Sequence, residues 1–182
     1  SSIIIYLGFT NQLFENVYNF YIWVFICFTI YILNFCNKIY LGDSGAYFLG
    51  FIFSYLLIKL YFLNQNMSPF FIVLLLWYPG FENLFSLLRK LKINRSPMKP
   101  DQNHLHQLIF LFIKSKFKIN KEIVNTISGS LINFYNLIIF AISTQDITNT
   151  RFQILLILLN LIIYTLIYVR LFRLKLRNNL GA

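Results

Sequence analysis

Lys38-Ile39-Tyr40-Leu41-Gly42-Asp43-Ser44-Gly45 runs directly into the apolar stretch Ala46–Phe62, and this junction decides the fold. A run of that length approaches the roughly 20 residues that carry a helix across a bilayer. A lone carboxylate, two glycines and a hydroxyl therefore stand at a membrane boundary. An Asp left unpaired there costs on the order of a few kcal/mol, so it reads as a functional group with a metal or other cation as partner. It also reads as a helix cap, because Asp43 and Ser44 can each satisfy free amides at a helix start. The spacing leaves both readings open, and they are compatible.

Working outward, the composition agrees with the junction. Hydrophobic residues make up 58% of the 182 positions, with 21 Phe, 12 Tyr and only 12% charged residues. That balance excludes an ordinary soluble domain. Five spans are predicted, at Val17–Phe35, Ala46–Phe62, Phe70–Leu88, Ile123–Ser143 and Phe152–Leu171, with Ile3–Phe9 as a partial N-terminal helix. The expected fold is thus all-α, a polytopic membrane helix bundle forming one domain over residues 1–182. Ser1 is not preceded by Met and no basic n-region follows, so no signal peptide is read, and the chain is expected to be a fragment of a longer protein.

The net charge of +10 invites a nucleic-acid reading, but its distribution argues for topology. Lys and Arg gather at Lys38, from Arg89 to Lys121 and from Arg170 to Arg177, whereas Asn64–Ser68 has none and Ser143–Arg151 has one. Alternating basic loops are the positive-inside pattern. It places Asp43, the loop after Leu88 and the C-terminus in the cytoplasm. Lys114, Lys116, Lys118, Lys121 and the C-terminal cations are read as topology signals and lipid headgroup contacts. Lys59, near the far end of its helix, can snorkel. Cys27 and Cys36 lie on one predicted helix, too far apart to bridge, and no Cys/His spacing suggests zinc.

The loop spanning residues 89–122 carries chemistry that topology does not explain. Its first part, from Arg89 to His106, holds both histidines of the chain, half of its prolines and five basic residues. Pro97 and Pro100 stiffen the approach, and Asp101 is predicted to cap a helix that opens with Gln102-Asn103-His104. His104 would then occupy a first turn whose free amides favour phosphate. His104 and His106, two apart, would not share a face of a regular helix, so a paired metal site is not expected. An anion contact from one of them suits the spacing better; simple interfacial residues are the plainer alternative.

Pro79-Gly80 interrupts the third span, with Glu82 just beyond. Proline removes a helix hydrogen bond and crowds the preceding turn, which predicts a kink there. Glu82 is expected either to swing toward a cytoplasmic cleft or to pair with Arg89 or Lys90.

Two stretches together resemble a known family. Leu41-Gly42-Asp43-Ser44-Gly45 is similar to the Leu-Gly-Asp-x-Gly-Ser motif of the polyprenyl-phosphate N-acetylhexosamine-1-phosphate transferases. Pro100-Asp101-Gln102-Asn103-His104-Leu105-His106-Gln107 resembles their Pro-Asp-x-x-His-Ile/Leu-His-His loop. The resemblance covers roughly residues 1–175, as the C-terminal half of such an enzyme, and leans to the N-acetylglucosamine branch rather than the muramoyl-pentapeptide one. Ala46 and Gln107 depart from it, Gln107 by replacing the last histidine.

The resemblance implies transfer of an N-acetylhexosamine 1-phosphate, with GlcNAc-1-phosphate expected, from a UDP-sugar to undecaprenyl or another polyprenyl phosphate. UMP would be released, in cell-envelope polysaccharide synthesis at a bacterial inner membrane. It implies Mg²⁺, with Mn²⁺ as the other candidate, and Asp43 as metal ligand; hard cations of this kind bind through one or two carboxylates plus substrate phosphates. Asp43, His104 and His106 are the implied catalytic residues. Gly42, Ser44, Gly45, Arg95, Lys99, Asp101 and Glu82 would contact substrate. The family's other carboxylates are absent here, so the isolated chain is expected to be inactive. Partners are then the sugar nucleotide, the polyprenyl phosphate and the bilayer, with no nucleic acid. A transporter or inactive membrane subunit is the alternative; it would place polar groups in the middle of several spans.

Overall fold

The structure is a computed structural model that describes residues 17–39, 41–92, 103–117 and 119–180. The described residues form seven helices and no strand. These are α1 (Val17–Phe35), α2 (Gly42–Leu63), α3 (Pro69–Leu75), α4 (Trp77–Lys92), α5 (Leu105–Lys116), α6 (Lys121–Ser143) and α7 (Thr150–Leu180). The all-helical membrane reading therefore holds. The predicted count of five spans is not confirmed: among the described residues three helices are long and apolar enough to cross, and a fourth crossing arises if α3 and α4 are taken together. α1 occupies its predicted bounds, and its part Tyr21–Phe35 is apolar. Ile3–Phe9 lies outside the described residues.

The helix starts follow local chemistry. Ser68 caps α3, its Oγ accepting from Phe70 N–H at 3.3 Å, with Pro69 in the first turn where no N–H is missed. Asn149 Oδ1 accepts from Phe152 N–H at the start of α7. Gly42 opens α2 at φ +64, a conformation that costs any residue with a Cβ. Neither Asp43 nor Ser44 takes the cap: Leu41 is the N-cap residue, and among the described residues neither side chain makes a capping bond.

The predicted kink is present but lies one turn before Pro79. α3 and α4 meet at Leu76 and are bent by 72°. Pro79 has no N–H to offer the Leu75 carbonyl, and its ring crowds that same carbonyl, so the helix fails four residues upstream of the proline. Pro79 then sits in the first turn of α4, where an N–H is not needed.

The core gathers where α5 packs against α6 and α7. Leu74, Trp77, Leu105, Leu108, Ile139, Leu156 and Tyr164 are buried there, and Leu56, Leu60, Met67 and Phe71 form a smaller cluster between α2 and α3. Elsewhere apolar side chains face outward: only 17% to 28% of each spanning window is buried. Such faces suit lipid or further protein rather than water.

One face of α7 carries a polar seam through the span. Gln153 donates to the Ser143 and Asp146 carbonyls at 3.0 and 2.8 Å. Asn160 accepts from the Tyr135 hydroxyl, Tyr164 donates to Glu82 and Tyr168 pairs with Arg89. Polar groups thus also lie within a span, a feature expected of the transporter alternative in several spans. Inside lipid these groups must satisfy one another, and they do so within the bundle.

Candidate active site

Five segments distant in sequence meet at one end of the bundle. The α1–α2 turn docks on the second turn of α6: Asn37 Nδ2 donates to Thr126 Oγ1 at 3.0 Å, and Thr126 Oγ1 to the Phe35 carbonyl at 3.2 Å. Asn103, which leads into α5, is held from two sides, its carbonyl by Arg89 at 2.7 Å and its Oδ1 by Lys175 at 2.6 Å. Both sequence motifs therefore open at the same end. The loops 64–68 and 144–149 meet at the other, where Ser68 N–H donates to the Ile147 carbonyl at 2.9 Å.

Between these segments lies a cavity of about 710 Å³ with two unlike walls. Ile30, Phe35, Leu49 and Phe53 from α1 and α2 give it a mainly apolar side, with Leu41 of the first motif and with Asn34 and Asn37 among them. His106, Gln107, Lys121, Asn125 and Ser130 from α5 and α6 form a polar one. Lys121, read from sequence as a topology signal, here brings a cation to a concave surface. The walls suit a ligand with one apolar and one anionic part.

α5 begins later than the sequence suggested. His104, not Asp101, is its N-cap, with extended dihedrals of φ −70 and ψ 151. Gln107 accounts for the difference, since its Oε1 accepts from His104 N–H at 3.2 Å and closes the turn from position N3. Because His104 lies outside the helix proper, the argument from regular helical spacing does not apply to it. The rings of His104 and His106 are stacked, with centroids 5.7 Å apart and planes 15° from parallel.

Glu82 takes neither expected course. It is buried, and its carboxylate lies 3.0 Å from His104 Nδ1 and accepts from Leu105 N–H at 2.9 Å and the Tyr164 hydroxyl at 2.7 Å. His106 retains an exposed edge. Burial against its neighbours holds the His106 imidazole below its ordinary 6.5; the Glu82 charge opposes that shift and His104 adds to it.

Asp43 is exposed in the first turn of α2, two residues from the cavity-lining Leu41. A carboxylate there is also favoured by the helix dipole. Among the described residues no group of three or more His, Cys, Asp or Glu is placed to hold a metal ion. The donor set therefore fits Mg²⁺ as an ion anchored through one carboxylate oxygen and completed by water and phosphate, and does not fit a protein-caged ion. Gly45 packs against the Leu41 side chain, where an added Cβ would meet Leu41 Cγ at 2.9 Å. Arg95, Lys99 and Asp101 lie outside the described residues. The sequence reading missed Lys121, Tyr164 and the amides Asn37 and Asn125; Tyr164 and Asn160, four apart in an apolar run, were the available signal.

A helical membrane bundle with both motif segments at one cavity defines the class: a membrane protein with a polar site at the ends of its helices. The chain is similar to two curated proteins of one kind. It is 34% identical over 79 residues, 41% of its length, to a probable undecaprenyl-phosphate N-acetylglucosaminyl 1-phosphate transferase of Bacillus subtilis. It is 31% identical over 71 residues, 39% of its length, to the undecaprenyl-phosphate alpha-N-acetylglucosaminyl 1-phosphate transferase of Thermotoga maritima. These matches support the family resemblance and its partial span: the matched stretch is 21% and 23% of the relatives' lengths. No family model matches, and no solved structure does.

Proposed function

We propose that this chain forms the site-bearing helices of a polyprenyl-phosphate GlcNAc-1-phosphate transferase. It takes the sugar phosphate from a UDP-sugar, passes it to undecaprenyl phosphate and releases UMP. The reaction belongs to cell-envelope polysaccharide synthesis, with the site on the cytoplasmic side of a bacterial inner membrane. The observation that carries this reading is the cavity itself, which Leu41 of one motif and His106 of the other both line, among apolar and polar side chains.

The residues then divide the work. Lys121 and the neighbouring amides attract and orient the anionic diphosphate, and the apolar wall receives the first part of the isoprenoid tail. His106, its imidazole shifted below the ordinary value, donates a hydrogen bond to a phosphate oxygen rather than a full charge. Asp43 holds Mg²⁺, which when bound offsets negative charge on the diphosphate. Phosphoryl transfer gains most of its acceleration from such positioning and charge stabilisation. On this reading the chain supplies only part of the carboxylate set, and the isolated chain releases no UMP.

The test is transfer of label from UDP-[¹⁴C]GlcNAc to undecaprenyl phosphate by the intact protein in lipid. Label in a butanol-extractable lipid, matched by UMP and dependent on added acceptor, is expected. UDP-GlcNAc hydrolysed or transported without lipid labelling would overturn the reading.

A further inference from the structure

We propose that Glu82 is the positioning residue of this site, acting through His104; the inference rests on the transferase reading. Three groups from two elements converge on its carboxylate, which comes from the helix just after the Pro79 break. Leu105 N–H ties it to the start of α5, the Tyr164 hydroxyl ties it to α7, and His104 Nδ1 lies 3.0 Å from Oε1. A carboxylate is acceptor-only when ionised, so the His104 nitrogen that faces it carries the proton. Nε2 is left as the bare nitrogen on a ring that does not itself line the cavity but stacks on His106, which does. One buried group thereby sets the tautomer of His104, the first turn of α5 and, through the stacked rings, the direction of His106.

The contact also explains why Glu82 need not reach substrate. Its side chain is 9% exposed, whereas the His104 side chain keeps 23% of its surface. The carboxylate is thus behind the imidazole, in the place where partners that orient a functional histidine are found. An apolar residue at 82 would release His104 Nδ1 and leave the Leu105 amide without its acceptor. Gln preserves the map of contacts: its oxygen can face His104 and Leu105 while its amide donates to the Tyr164 oxygen.

The test uses the intact protein in nanodiscs with ¹⁵N-labelled histidine at pH 8, the His104 signal being assigned by its loss in His104→Asn. Wild type should show His104 protonated on Nδ1 and bare at Nε2, and Glu82→Gln should keep that form. Glu82→Leu should move the proton toward Nε2 and lower kcat for UMP release about 10- to 100-fold, with a smaller change in KM for the UDP-sugar. Asn160→Ala serves as a destabilised control and should leave both the tautomer and kcat in place. A wild-type His104 protonated on Nε2 would overturn the proposal without recourse to any variant, as would folded Glu82→Leu with unchanged kcat. The expected tautomer in a wild-type protein that releases no UMP would instead overturn the transferase reading.

Discussion

Asn37 and Thr126, 89 residues apart, share a hydrogen bond of 3.0 Å that fastens the α1–α2 turn to the second turn of α6. Asn125 Nδ2 adds a second, to Asn37 Oδ1, at 3.3 Å. Asn37 is also the only described non-glycine residue at positive φ, 54°, a conformation Asn tolerates better than most. This junction brings the first motif to the cavity.

Two substitutions separate its parts. Asn37→Gly removes the side-chain bonds and keeps the backbone conformation easy, and should cost about 1 kcal/mol. Asn37→Ala removes the same bonds and adds left-handed strain, and should cost a further 1 kcal/mol or so. Thermal unfolding in lipid nanodiscs ranks the two; equal midpoints would show that the positive φ carries no strain.

The polar seam on α7 yields a second expectation. Asn160 is fully buried and accepts from Tyr135, and hydrogen bonds between spans are worth roughly 0.6 kcal/mol and at most about 1.7. A double-mutant cycle of Tyr135→Phe and Asn160→Ala should return a coupling in that range. Strict additivity would mean that the contact adds nothing to stability.

The His106 shift gives a dependence on pH with a definite sign. Its folded value lies below 6.5, so as pH falls past 6.5 the unfolded chain takes up a proton that the folded chain resists. Stability should therefore be level above pH 6.5 and decline below it, until the folded imidazole is also protonated. His106→Asn should flatten that decline, as read from unfolding midpoints between pH 5 and 7.5.

The sequence made the membrane class and both motif loops legible, because long apolar runs and dense polar loops are local properties. The Pro79 break was legible too, but its position follows from the Leu75 carbonyl that the proline obstructs, one turn earlier. Partners distant in sequence were not legible. Glu82 meets His104 and Tyr164 only because α4 turns under α5 and packs against α7, and Lys121 shares a cavity with His106 only through the docking of α6. Helical spacing misjudged the histidines for a local reason: Gln107 starts the helix at Leu105, which frees His104 to stack on His106.

Orientation is tested separately from chemistry. In a version lacking Cys27 and Cys36, single cysteines at Asn66 and Gln102 should respond oppositely to a membrane-impermeant thiol reagent applied to intact cells. Asn66 should label and Gln102 should be protected. The reverse result would put the cavity on the wrong side for a cytoplasmic sugar nucleotide.

The central claim is that Asp43 and the cavity wall it adjoins perform sugar-phosphate transfer. The most direct measurement is UMP release from UDP-GlcNAc by the intact protein carrying Asp43→Asn, which keeps the size of the side chain and removes its charge. Release should fall by about two to three orders of magnitude with insertion into the membrane unchanged, His106→Ala should fall by less, and Lys116→Ala should match wild type. Near-normal release by Asp43→Asn would contradict the account.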